Sequence, residues 1–310
     1  AAPITHGTST YILPTLATGG TLVLLDRPRP EETLHFLQNA GITTTFVPPT
    51  VLYMLMELEN VRESDYADLR NLIYGAGPMR PDAIERAQGV FGPCLASTYG
   101  QTEAPQIATM ISAQELQNPA KRASVGRETF LTQVEIMDGE GRILPAGETG
   151  EIVIRGDLLM TGYWDQPEVT AKTLVDGWLH TGDLGLKDED GYVFIRGRAK
   201  EMIITGGFNV YPADVETVMG EHPDIIDCAV YGVPDDKWGE SVHAAVQVRD
   251  AQSVSPAEII AFIRERLGPV KTPKSVRFVE SLPRNAIGKL QKTQLAEQHM
   301  AQRADALKEG

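Results

Sequence analysis

The sequence predicts an α/β protein in which a mostly parallel, helix-covered sheet leads into a small β-rich barrel and then into a small α+β unit. Three observations predict it. Short apolar runs alternate with helical stretches over residues 21–98, the order of parallel strands joined by helical crossovers. Short strands separated by Gly and Asp turns follow over residues 133–195, the texture of a small antiparallel barrel or twisted sheet. The composition changes again near Gly197-Arg198-Ala199-Lys200, and the rest reads as a compact unit of its own.

Residues 21–25 (TLVLL) are apolar throughout, as a strand buried on both faces is. Pro30-Glu31-Glu32 opens a helix: proline sits where no N–H is needed and the acids sit near the positive end. Gly41 closes it. Residues 42–47, 72–74 and 95–97 read as strands, with helices at 51–59 and 82–91 between them. After about Ile111 the strands are 133–137, 151–155 and 192–195, punctuated by Asp138-Gly139-Glu140-Gly141, Pro145-Ala146-Gly147-Glu148 and Asp190-Gly191. Beyond Lys200 come a Gly206-Gly207 loop, a helix after Pro212, strands at 225–231 and 243–248, a helix at 255–267 and a strand at 276–279. The polar tail, 294–309, frays or forms a terminal helix.

The 310 residues carry 28 Lys and Arg against 42 Asp and Glu, a net charge of −14. That balance excludes a general duplex-DNA binder, whose phosphate contacts need surplus cations. No apolar run approaches the ~18 residues of a membrane span. Cys94 and Cys228 stand far apart and match no metal spacing. They read as buried thiols in a reducing compartment, which points to the cytoplasm. The opening Ala1-Ala2-Pro3-Ile4 has neither Met nor a signal sequence and reads as the interior of a longer chain.

Five segments can carry chemistry, although each alone also reads as an ordinary turn or charge cluster. Tyr74-Gly75-Ala76-Gly77-Pro78 is a strand end whose small residues let a flat ligand approach the backbone. Tyr99-Gly100-Gln101-Thr102-Glu103 delivers an aromatic face, a hydroxyl for phosphate and a carboxylate suited to Mg²⁺. Trp178-Leu179-His180-Thr181-Gly182-Asp183 places an acid after a small-residue turn, and an acid accepts hydrogen bonds from ribose hydroxyls. Gly197-Arg198-Ala199-Lys200-Glu201 puts charge beside glycine at a domain boundary, as a hinge does. Pro283-Arg284-Asn285-Ala286-Ile287-Gly288-Lys289 presents a lysine on a loop bounded by Pro and Gly, able to stabilise developing phosphate charge.

In this order the five segments resemble the adenylate-forming superfamily: acyl-CoA synthetases, peptide-synthetase adenylation domains and firefly luciferase. The resemblance runs from Pro3 to Lys292 and is nearest in look to bacterial acyl-CoA ligases. It implies a truncated large domain, comprising the remainder of an α/β sheet at 1–115 and a β-rich barrel at 116–197. A hinge at 198–200 and a mobile C-terminal α+β domain at 201–310 would follow. It implies that ATP, Mg²⁺ and a carboxylic acid, fatty or aryl, give acyl-AMP, and that coenzyme A takes the acyl group. Gly75, Ala76, Gly77 and Pro78 would line the adenine, Tyr99 would pack on it with Gly100 beside it, and Thr102 would touch phosphate. Glu103 would hold Mg²⁺. Asp183, assisted by Arg198, would bind the ribose, Lys200 would be the hinge residue, and Lys289 would be catalytic in the first half-reaction. Gly206 and Gly207 would face the pantetheine channel, and His6 would gate the acyl pocket. Trp238, Lys271 and Lys274, with Arg264 and Arg266 nearby, would take the nucleotide end of coenzyme A.

One element of that family, a Ser/Thr/Gly-rich loop ending in Lys-Gly that clasps the outer phosphates, has no counterpart here; Gly7-Thr8-Ser9-Thr10 is shorter and lacks lysine. The expectation is a C-terminal portion of a ligase, with little ATP–pyrophosphate exchange of its own. Exposed apolar surface would make it dimerise, pair with the missing portion or aggregate. The alternatives are an adenylation domain that loads a carrier protein, and a fragment that binds nucleotide or acyl-adenylate without turnover.

Overall fold

In a computed structural model the chain divides into two compact units, Ala1–Ile195 and Arg196–Gly310. All residues are described except 1, 3, 27, 28, 78, 106, 251, 286–289 and 310; residues 5, 6 and 303–309 are described by their backbone only.

The first unit opens with α1 (Ser9–Ala17) and α2 (Pro30–Asn39). Helix α2 has proline in its first turn with Glu31 and Glu32 beside it, and Gly41 at φ 60° takes the chain out of it. Then β1 (Thr44–Val47), α3 (Pro49–Met56), β2 (Asn71–Tyr74), α4 (Pro81–Phe91) and β3 (Leu95–Tyr99) build a parallel β1–β2–β3 ladder. β4 (Thr109–Ile111) and β5 (Arg127–Glu128) extend that sheet antiparallel. Leu34, Leu52, Leu55, Ile84, Leu72 and Leu95 form its core and are at most 1% exposed; each such side chain contributes about 2 kcal/mol on burial.

The expectation for residues 21–25 was wrong. They form no strand, and Val23 and Leu24 are 46% and 68% exposed. Apolar composition does not make a strand without a ladder to join, and the described sheet ends at β1, whose partner is β2.

A second sheet contains β6 (Gln133–Met137), β7 (Gly150–Arg155), β8 (Leu174–Val175), β9 (Trp178–Lys187) and β10 (Val193–Arg198), of which β10 runs past the first unit's last residue, Ile195, with α5 (Pro167–Thr173) between β7 and β8. Its order is β10–β9–β7–β6, with β8 on β9. Of the two antiparallel forms the turn spacing allows, the described pairings are those of an open sheet. Residues 178–183, read from sequence as an acid placed after a small-residue turn, lie inside the ten-residue strand β9. Val134, Ile152, Ile154, Leu179 and Val193 are completely buried beneath it.

In the second unit β11 (Ile203–Thr205) and β12 (Phe208–Val210) form a hairpin through Gly206 and Gly207. Both glycines have positive φ, 57° and 83°, which a two-residue turn of this hand demands. Then follow α6 (Pro212–Gly220), β13 (Ile225–Asp235), β14 (Gly239–Val248), α7 (Pro256–Lys271), β15 (Ser275–Phe278) and α8 (Lys292–Glu309). The order is β12–β11–β14–β13, with β15 parallel to β14. Alternation along β13 sends Cys228 and Val230 into a core with α6 and α7, and Ala229 and Tyr231 into one with Leu295 of α8. A Ser255–Glu258 capping box starts α7, and Gly268 at φ 73° breaks it ahead of Pro269. Both cysteines are buried free thiols, and burial pushes Cys94 up to about 11.

Candidate functional site

β2 and β3 are neighbouring parallel strands with Tyr74 opposite Ser97, so the segments that leave them start side by side. Ligands of open parallel sheets bind beyond such carboxyl ends. Gly75 is buried, while Ala76 and Gly77 are exposed. Ala76 holds φ 68°, a left-handed conformation that costs a side-chain-bearing residue ~1 kcal/mol. Pro78 lies outside the described residues.

β3 ends at Tyr99, 8% exposed, and Asp183 of β9 is 6% exposed. The Tyr99 hydroxyl donates to Asp183 Oδ2 at 2.8 Å, and Gln101 Nε2 donates to the same oxygen at 2.8 Å and to the Thr181 carbonyl at 2.9 Å. Residues far apart in sequence are thus joined through one carboxylate, in a setting where a buried charge needs such donors. Gly100 and Gln101 are half-buried and Thr102 is exposed. The Glu103 carboxylate accepts from the Tyr163 hydroxyl at 2.5 Å, and the Met160 N–H donates to the Glu103 carbonyl at 2.8 Å. That hydrogen bond, and then burial, raises the Tyr163 phenol above its ordinary value. Sequence reasoning missed Gln101 and Tyr163 as partners. Gln101 stood inside a quoted motif, whereas nothing local marked Tyr163.

Among the described residues no three His, Cys, Asp or Glu side chains cluster as a metal cage. A lone carboxylate oxygen donor such as Glu103 suits Mg²⁺ that arrives on phosphates, since this ion keeps few protein ligands.

Asp183 owes its direction to an irregularity in β9. Glu151 of β7 pairs with Leu184 and Val153 pairs with His180, so Ile152 alone opposes Thr181, Gly182 and Asp183. The arch needs Gly182 at φ 70°. The Glu151 carboxylate accepts from the Gly182 N–H at 2.8 Å and from His180 Nδ1 at 2.7 Å.

The remaining expectations fall in the second unit or outside the described residues. Arg198 ends β10, and Lys200 is exposed in the single turn Ala199–Glu201. Gly206 packs on Trp238: its N–H donates to the Trp238 carbonyl at 2.8 Å, and a Cβ there would lie 2.9 Å from the indole. The ammonium groups of Lys274 and Lys237 stand 5.9 and 4.8 Å from the Trp238 ring centre. The expected basic patch is not one cluster. Lys271 is held by Asp214 of α6 at 2.8 Å, and Arg266 lies over Phe262 and beside Glu221; carboxylates in and just after α6 hold these two cations. Arg264 is exposed. Lys289 and the His6 side chain lie outside the described residues.

The family model for an AMP-binding enzyme matches residues 1–164, and that for the AMP-binding enzyme C-terminal domain matches residues 214–289. A medium/long-chain-fatty-acid–CoA ligase, FadD8 of Mycobacterium tuberculosis, is 39% identical over 294 residues, 93% of this chain and 51% of the relative. A fatty acid–[acyl-carrier-protein] ligase, ScoC of Streptomyces coeruleorubidus, is 37% identical over 89% of this chain and 54% of its own length. The solved structure of the amide bond synthetase McbA from Marinactinospora thermotolerans matches with a TM-score of 0.91 and 38% identity, covering 96% of this chain and 60% of that one. The chain thus spans about half the length of the curated relatives described. By both family models, and by a fold that puts the motifs after Tyr74 and at Tyr99 at the carboxyl ends of parallel strands, the chain belongs to the AMP-binding enzyme family.

Proposed function

We propose that the protein is an AMP-forming acid–thiol ligase acting on a fatty or aryl carboxylic acid. A carboxylate oxygen bonds to the α-phosphorus of ATP as the bond to pyrophosphate breaks, giving acyl-AMP. The thiol of coenzyme A then attacks the acyl carbon, AMP departs, and the thiol proton is lost to solvent. The observation that supports this most is the buried Asp183 carboxylate fixed by Tyr99 and Gln101 at the end of the parallel sheet.

In this reading Gly75, Ala76, Gly77 and Pro78 line the adenine, Tyr99 packs on it with Gly100 leaving room, and Asp183 with Arg198 takes the ribose. Thr102 donates to phosphate. Glu103 would hold Mg²⁺, which supplies neutralising charge to the phosphates when bound. Lys289 cancels charge at the reacting phosphate. Residues 198–200 form the pivot, with Lys200 as hinge, between a large domain at 1–197 and a C-terminal domain at 201–310. Gly206 and Gly207 face the pantetheine arm, and His6 gates the acyl group. Coenzyme A is favoured over a carrier protein because Trp238 offers a flat face flanked by two ammonium groups, the chemistry of a phosphorylated nucleoside. A site in the cytoplasm agrees with the two buried free thiols, and no described helix is long and apolar enough to cross a membrane.

The test is to supply preformed acyl-AMP with coenzyme A, a carrier protein or an amine, and to identify the product. The expected product is the coenzyme A thioester, with Trp238→Ala raising KM for coenzyme A about 10-fold and Lys289→Ala leaving this step intact. Product with carrier protein alone favours the carrier-loading reading, amide alone favours an amine acceptor, and binding without product reduces the chain to an adenylate-binding module.

A further inference from the structure

We propose that Glu151 is the positioning residue for Asp183, and that its carboxylate sets the nucleotide's ribose selectivity without touching the nucleotide. The inference rests on the reading of Asp183 as the ribose ligand.

An antiparallel ladder that sets three residues against one cannot bond all of their backbone groups to the partner strand. Side chains replace the lost bonds here. The Thr181 hydroxyl donates to the Ile152 carbonyl at 2.6 Å and accepts from the Asp183 N–H at 3.1 Å. The Gly182 N–H, at the crown of the arch, goes to Glu151 Oε1 at 2.8 Å. The other oxygen, Oε2, meets His180 Nδ1 at 2.7 Å. A carboxylate only accepts, so Nδ1 carries the hydrogen and the ring is locked in one tautomer. One carboxylate therefore grips the arch at His180 and at Gly182, the residue before Asp183. Both side chains are about a quarter exposed, so the grip is only partly withdrawn from competing water.

The consequence is directional. Gly182 at φ 70° has open space around the position of a Cβ, so neighbouring atoms do not wedge this peptide in place. Without Glu151 its N–H loses its acceptor, and the Asp183 carboxylate loses the backbone that aims it at Tyr99 and Gln101. Glu151 stands directly opposite the end of the arch, paired with Leu184, where a side chain long enough to span the irregularity is required. An alanine there removes both bonds; a glutamine keeps one acceptor oxygen.

Calorimetric titration with AMP and with 2′,3′-dideoxy-AMP tests the proposal, using the full chain and its Glu151→Ala, Glu151→Gln and Asp183→Ala variants. The wild type prefers AMP. Asp183→Ala removes the preference if the ribose reading holds. Glu151→Ala is expected to weaken AMP binding about 10- to 100-fold, the worth of a charge-assisted hydrogen bond, while dideoxy-AMP binding stays within about 3-fold. Glu151→Gln retains most of the preference. ¹⁵N shifts report hydrogen on His180 Nδ1 in the wild type and its loss from that nitrogen in Glu151→Ala, a signature that general destabilisation does not produce. A preference unchanged in Glu151→Ala, or a wild-type His180 with hydrogen on Nε2 alone, overturns the proposal. A preference unchanged in Asp183→Ala overturns the ribose reading and the Glu151 role with it. Where Glu151→Ala does not fold, the His180 tautomer and the titration of Glu151→Gln decide: a Gln variant that loses the whole preference on an intact fold contradicts the retained-acceptor argument.

Discussion

Asp183 and Glu115 illustrate two uses of a carboxylate in the first unit. Asp183 gathers donors from Tyr99, which the proposed reaction uses, and from Gln101 beside it. Glu115 gathers donors that hold the fold together: burial alone would raise it, but the Ser112 N–H, the Ser112 and Tyr192 hydroxyls and Arg127 outweigh that and bring it down to about 2. Arg127 lies 2.7 Å from it, and Lys121 and Arg127 both stack over the Tyr192 ring. The sign follows from linkage. A depressed carboxylate stabilises the fold fully above its ordinary value and loses that contribution as pH falls toward the folded value, about 2. After screening of a partly exposed group, the contribution is about 1–2 kcal/mol. Glu115→Gln should therefore be less stable than the wild type by that amount at pH 7, and the gap should close between pH ~5 and ~2. Urea unfolding across that range checks it, and a constant gap contradicts it.

Among the elements, the sheets are joined at points where no side chain fits. Gly126 at φ 88° would place a Cβ 2.0 Å from the Met110 carbonyl oxygen, and its own carbonyl accepts from the Val193 N–H at 2.8 Å. Gly141 has a similar φ, 81°, with nothing within 4 Å. Both substitutions to alanine carry the left-handed penalty of ~1–2 kcal/mol, but only Gly126→Ala must also move backbone, at ~3 kcal/mol or more in total. Unfolding of the two variants should differ by at least that backbone part; equal losses contradict the packing described. The helices of the α/β unit were legible because proline openings and glycine exits are local signals, as at Pro30 and Gly41. Residues 21–25 misled because apolar composition carries no information about a partner strand. β9 was hidden because Thr181-Gly182-Asp183 looks like a turn, and only the pairing with β7 turns it into an arch within a strand.

Across the whole molecule, the order of the motifs identified the family where no single motif did. What the order could not supply was the wiring between distant residues: Tyr163 to Glu103, Gln101 to Asp183, Glu151 to Gly182, and Lys271 to Asp214. Each is a contact set by packing between elements, and two of them displaced or refined a role suggested by sequence. The two units have separate cores, and the adenine contacts proposed for the nucleotide, with the Asp183 carboxylate, come from the first unit. That location can be read directly by photolabelling the full chain with 8-azido-AMP and mapping the modified peptides. Label should fall in the segments containing Gly75, Ala76 and Tyr99, compete away with AMP and vanish in Asp183→Ala. Label in other segments, or label indifferent to AMP and to Asp183, contradicts an adenylate held at the carboxyl ends of the parallel strands.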